Sequence, residues 1–152
     1  MATVEQTMLK VQRLLTGPMG LKITLEQDRF SVQFSDMSTS VQIRIQEWGK
    51  DADGDPQSLV LLSALVLRGV KASPALFEWV ARKGGSRWFG HIEVIDDKEP
   101  GTVMLIMSHT LLGDYLDEKE LEVGMKSVLF ASNEWDDELQ QQFGGKRWID
   151  PS

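Results

Sequence analysis

Three short stretches of this 152-residue chain hold residues whose types and spacing could do chemistry. The first, Asp51-Ala52-Asp53-Gly54-Asp55, resembles a calcium loop in its alternating carboxylates. An EF-hand sets its glycine after the third acidic position and closes with a bidentate glutamate about six residues later. Here glycine comes one step before Asp55, Pro56 follows and the closing position is apolar. The stretch therefore reads as a solvated turn. The second is the histidine pair, His91 and His109, on the two strands of one predicted hairpin. With the turn near residues 98–99, His91 pairs near Ile106 and His109 near Trp88. The rings then lie roughly 10 Å apart at 3.4 Å per residue, too far to share a metal. The third, Gly84-Gly85-Ser86-Arg87, precedes a strand, whereas a phosphate cradle needs a following helix.

Other chemistry is excluded by composition. There are no cysteines, which removes thiol nucleophiles, disulfides and cysteine-ligated metals. No Gly-x-Ser-x-Gly nucleophile elbow is present. Asp136, Asp137 and Glu138 diverge by about 100° per residue on a helix, so they do not form an acid pair. The expectation is a protein that is not an enzyme, with no catalytic residues, no metal site and no cofactor.

The elements that would position any site follow from periodicity and caps. Thr3-Val4-Glu5-Gln6 is a capping box, and Val4, Met8, Val11 and Leu15 mark one helical stripe up to Gly17-Pro18. Period two then takes over, with Ile23 and Leu25, then Phe30, Val32 and Phe34, then Val41, Ile43 and Ile45, each alternating with polar residues. Gln27-Asp28 fits a tight turn. Lys50 to Gln57 reads as a polar loop, and Ser58 to Arg68, apolar on both parities, as a strand buried on two faces. Ser73-Pro74 opens a short helix that Gly84-Gly85 stops. Trp88–Ile95 and Thr102–His109 are strands, and Asp117 caps a long helix that closes at Gly144-Gly145. These predict an α+β fold, an antiparallel sheet with helices packed on one side, in the order α-β-β-β-β-α-β-β-α. One domain spans residues 1–145, followed by a tail at 146–152.

Charge narrows the partners. The net charge is −7. Residues 1–111 hold 13 acidic and 12 basic side chains, whereas residues 112–152 hold 10 and 4. Without a basic stripe to offset that acidic end, neither nucleic acid nor an anionic membrane is expected as a partner. Met1 to Gln6 has no basic start followed by an apolar run, so no signal peptide is read there and a cytoplasmic location is expected. The longest apolar stretch, Leu59 to Leu67, is interrupted by Ser63 and falls well short of the ~20 residues that span a bilayer.

What remains is a surplus of apolar strand residues. If Leu59, Leu61, Leu65 and Leu67 face the helices, the other side of the sheet shows Val60, Leu62, Ala64 and Val66. In the Thr102–His109 strand Val103, Leu105 and Met107 share one face, Met104 and Ile106 the other. Val60, Leu62, Val66, Met104 and Ile106, with Phe89 at the margin, are then the candidate residues for binding a partner or a second copy. An extended segment could pair with a sheet edge while such a patch takes its side chains.

Four short segments carry a family resemblance. Trp88-Phe89-Gly90-His91, His109-Thr110-Leu111-Leu112-Gly113-Asp114-Tyr115-Leu116-Asp117 and Ala131-Ser132-Asn133-Glu134-Trp135-Asp136-Asp137-Glu138-Leu139 with Phe143-Gly144-Gly145 resemble the YbjN-like domains. Those are grouped with type III secretion chaperones as peptide-binding chaperone-like proteins. The resemblance implies a small, acidic, cytoplasmic bacterial protein, often a homodimer, that binds an extended segment of a client protein without catalysis. The alternative is a regulatory or assembly protein recognising one specific folded partner.

Overall fold

The structure, a computed structural model, describes residues 3–151. Thr3 accepts from the Gln6 amide while the Gln6 side chain accepts from Thr3, and this reciprocal cap opens helix α1, Val4–Thr16. Strands β1 (Ile23–Glu26), β2 (Arg29–Gln33) and β3 (Ser40–Lys50) form the expected antiparallel meander, with Gln27-Asp28 turning the first hairpin. β4 (Pro56–Lys71) is longer at both ends than its apolar run, because β3 pairs with it down to Lys50 and Pro56 and β6 pairs with it out to Thr102 and Lys71. The polar loop therefore shrinks to residues 51–55. Helix α2 (Pro74–Lys83) carries the chain to β5 (His91–Asp96), β6 (Thr102–Leu112) and helix α3 (Glu118–Phe143). The six-stranded antiparallel sheet runs β1-β2-β3-β4-β6-β5. The α+β class and the element order are those expected.

β5 starts three residues later than the sequence pattern suggests. The chain must cross β6 closely at Gly90, where φ is +81° and an added Cβ would come within 2.8 Å of the Met107 side chain and 2.9 Å of the Ser108 carbonyl oxygen. Trp88 is consequently outside the sheet and 99% exposed.

All three helices lie on one side of the sheet. The Thr7 hydroxyl of α1 meets Ser58 of β4 at 2.6 Å. Gly124 lets α3 descend onto β4 and β6, with its hydrogen where a Cβ would come within 2.8 Å of Leu62 and 3.1 Å of Leu111. Trp79 of α2 packs edge-on against Trp135 of α3, with ring centroids 5.4 Å apart. Between these helices and the sheet sit Phe30, Ile43, Val60, Leu62, Leu105, Met107, Leu121 and Met125, all buried.

Polar contacts hold α3 past its middle and at its C-terminal end. Ser38, in the β2–β3 loop, donates its amide to Asn133 and its hydroxyl to the buried Asp136 carboxylate. Burial raises the Asp136 pKa above the ordinary carboxylate value, the Ser38 bond opposing it and the neighbouring Asp137 adding to it. Residues 146–151, read from the sequence as a tail, turn back onto β4. Arg68 and Lys146 exchange backbone bonds of 2.8 and 2.9 Å, and the Asp150 carboxylate accepts from Arg147 and Gln140. Those bonds hold the Asp150 pKa far below the usual range.

Gly124→Leu should destabilise the fold by about 1–3 kcal/mol, because α3 must lift off β4 and β6 to admit the side chain. Urea midpoints of the two proteins measure it. Asp136 gives a pH signature. Its folded-state pKa lies above the unfolded value, so its contribution to stability is fullest below the unfolded pKa and is lost as pH rises through the folded one. Asp136→Asn should therefore melt with wild type near pH 4 and above it at pH 7. Melting curves that differ equally at both pH values would contradict this assignment.

Candidate functional site

Away from the helices the second face of the sheet is bare. Residues directly opposite on paired strands share a face, and the register arranges this one in rows. Arg29, Arg44, Leu61 and Thr110 form one row. Ser31, Gln42, Ser63, Ser108 and His91 form the next, followed by Leu65, Ile106 and Glu93, and then Met104 and Ile95. Every one of these side chains is exposed or half-buried. A shallow cavity of about 290 Å³ crosses the rows, from Arg29 and Arg44 over Leu61, Ser63 and Ile106 to Glu93 and Ile95.

This register corrects the expected patch. Leu65 pairs with Ile106 and Ala64 with Met107, so Ile106 shares its face with Leu61 and Leu65. Val60, Leu62 and Val66 lie on the helix side, at most 1% exposed. They belong to the core and cannot offer an open surface. Leu59, Leu61 and Leu65, expected under the helices, face outward instead, while the irregularity after Leu65 returns Leu67 to the core. Met104 and Ile106 are on the bare face as expected. Phe89 stands on the helix side, edge-on to the His109 ring at 5.6 Å and beside Phe130 and Ala131 of α3. The six candidates are therefore split among core, open face and margin. A signal was available: Ser63, the one polar residue inside the apolar run, lies on the outward parity.

The histidines are also repositioned. His91 pairs with Ser108, not near Ile106, so the two rings are on adjacent register positions but opposite faces. His91 contacts Glu93 at 3.0 Å on the open face. His109 lies under Phe89, where burial first, and the nearby His91 second, hold its pKa below the usual imidazole value. Among the described residues no group of His, Asp and Glu is placed to hold a metal ion. Among the described residues no helix is long and apolar enough to cross a membrane.

Charge is distributed unevenly over the face. Arg29 and Arg44 are direct cross-strand partners. Arg29 reaches Asp28 at 3.8 Å, and Arg44 donates to Gln46 at 3.4 Å. At the far end β5 is an edge strand, and the Gly84 carbonyl takes the outward Ile92 amide at 2.9 Å. The arrangement offers apolar contact, hydroxyl and amide hydrogen bonding, and paired guanidinium groups.

Comparison with known proteins agrees with this picture. Residues 6–151 match the model of a family described as T3SS (YopN, CesT) and YbjN peptide-binding chaperone 1. No curated protein sequence matches the chain. Among solved structures, YbjN from E. coli aligns with a TM-score of 0.57 at 11% identity, covering 89% of this chain and 93% of its own. A protein from Methanothermobacter thermautotrophicus aligns at 0.55 and 16%, covering 90% and 97%. A chain of the ExsC–ExsE complex aligns at 0.52 and 22%, covering 85% and 92%. At these identities the likeness is one of fold.

The two faces make opposite demands on neighbouring residues. Leu62→Asp should cost at least about 4 kcal/mol or prevent folding, since it buries a charge and leaves a cavity. Leu61→Asp, one position away, should cost about 1 kcal/mol. Thermal melting of the pair checks the face assignment, and similar losses in both would overturn it.

Proposed function

We propose that this chain, which belongs to the family of T3SS (YopN, CesT) and YbjN peptide-binding chaperones, binds an extended segment of a partner protein across the open face of its sheet. One observation carries the reading: the three helices cover one side, leaving Leu61, Leu65, Met104 and Ile106 on the other, where Leu61 and Ile106 line a shallow trough. Covering such residues contributes about 25 cal/mol per Å² of apolar surface. An extended segment presents alternate side chains to a surface, which suits a trough of alternating leucine, serine and isoleucine. A chain of the same fold occurs in a two-protein complex, ExsC–ExsE. In this reading binding, not catalysis, is the activity, and the cytoplasm is its compartment.

The assembly that accompanies this reading is a homodimer. Trp88, Phe89 and Phe130 are exposed together around a hollow at the margin of the helix side, away from the trough. Light scattering should then give about twice 17.1 kDa, and Trp88→Ser should shift the mass toward one chain.

For the binding site, peptides selected on the wild-type protein from a random displayed library are the reagent. Ile106→Asp and Leu65→Asp should weaken these peptides by about tenfold or more, with melting temperatures within a few degrees of wild type. Undiminished binding by both variants would remove the open face as the binding surface.

A further inference from the structure

Within the binding function proposed above, on which this inference rests, the trough has a polarity that specifies its occupant. We propose that Arg29 and Arg44 select a segment carrying an aspartate or glutamate, whose carboxylate sits between the two guanidinium groups while the apolar residues beside it lie along Leu61 and Ile106.

The arginines are direct register partners on β2 and β3. Like charges directly opposite on a sheet repel and destabilise it. Arg29 has one carboxylate beside it, the largely exposed Asp28 at 3.8 Å, and Arg44 donates to the neutral Gln46 side chain. This is a chain of net charge −7, with many carboxylates elsewhere. An anion arriving between the two forks relieves their repulsion and receives charge-assisted, potentially bidentate hydrogen bonds.

The surroundings identify the anion as part of a peptide. The arginines line the same cavity as Leu61, Ile95 and Ile106. A floor of leucine and isoleucine has no complement in a sugar–phosphate backbone, and the acidic C-terminal quarter repels one. Glu93 at the opposite end, held by His91, excludes a second carboxylate there and favours a neutral or basic residue. Arg44 and Glu93 are three strands and two rows apart, on the order of 20 Å by strand spacing and rise. About six extended residues bridge that distance. The complementary segment thus has an acidic end, an alternating apolar middle and a neutral or basic end.

Two labelled, end-blocked heptapeptides of alternating isoleucine and threonine provide the test, one with glutamate at its first position and one with glutamine. Fluorescence anisotropy should show the glutamate peptide binding wild type about tenfold more tightly at low salt, the preference shrinking at 0.5 M salt. In Arg29→Gln/Arg44→Gln the two peptides should bind alike, at the level of the glutamine peptide on wild type. The single variant Arg44→Gln gives the same comparison if the double variant melts early. Equal binding of both peptides to wild type would overturn the charge selection and leave peptide binding intact. Failure of both peptides to bind would count against the face itself as well as the selection. Displacement of the glutamate peptide by a single-stranded oligonucleotide at lower concentration than by unlabelled peptide would assign the arginines to phosphate. Loss of self-association in the arginine variants, with no peptide competition in wild type, would assign the face to a second copy of the chain.

Discussion

The pairing of β4 with β6 is the constraint on which the rest of the molecule depends. β4 is apolar at both parities, so either of its faces could be buried, and a one-residue slip against β6 would exchange them. With Ala64 opposite Met107 and Leu65 opposite Ile106, one set of side chains from both strands meets the helices and the other meets the bare side. The helices favour this choice through two small contacts. Ser58 meets the Thr7 hydroxyl of α1, and Gly124 of α3 leaves space for Leu62. The opposite parity would bring Leu59 to the Thr7 hydroxyl and leave a leucine methyl without its hollow.

Once that face is chosen, the helix side saturates. α3 runs the length of the sheet, tied near its middle to the Ser38 loop and at its end by the chain that returns to Arg68. α2 meets α3 through Trp79 and Trp135, and Arg87 stacks over the Trp135 ring at 4.5 Å. These contacts leave no helix free to cross to the other side. The bare face is thus a consequence of where the helices are held, and its apolar residues are half-covered only by one another.

The sheet has one dry and one open side. Its open side presents hydroxyls, amides, leucines and arginines at fixed strand spacing, a surface suited to an extended chain. On that side His91 is engaged with Glu93, while His109 is on the other side under Phe89. The family to which the chain belongs and the bare geometry point to the same kind of function, by independent routes.

The sequence by itself determined the elements, because caps and periodicity are local. Thr3 and Gln6, Ser73-Pro74 and Asp117 start the three helices where expected, and the alternation at Val41, Ile43 and Ile45 put the right residues of β3 inward. The quoted segments of residues 88–145 also carried the family. The placement of Val60, Leu62 and Val66 was not legible, since a strand apolar on both parities has no local preference for either face. Arg29 and Arg44, some fifteen residues apart in the chain, had no visible connection before β2 and β3 paired. The tertiary structure decided both matters through long-range register: a hydroxyl at Thr7, a missing side chain at Gly124 and the β4–β6 ladder act together only after the chain has folded.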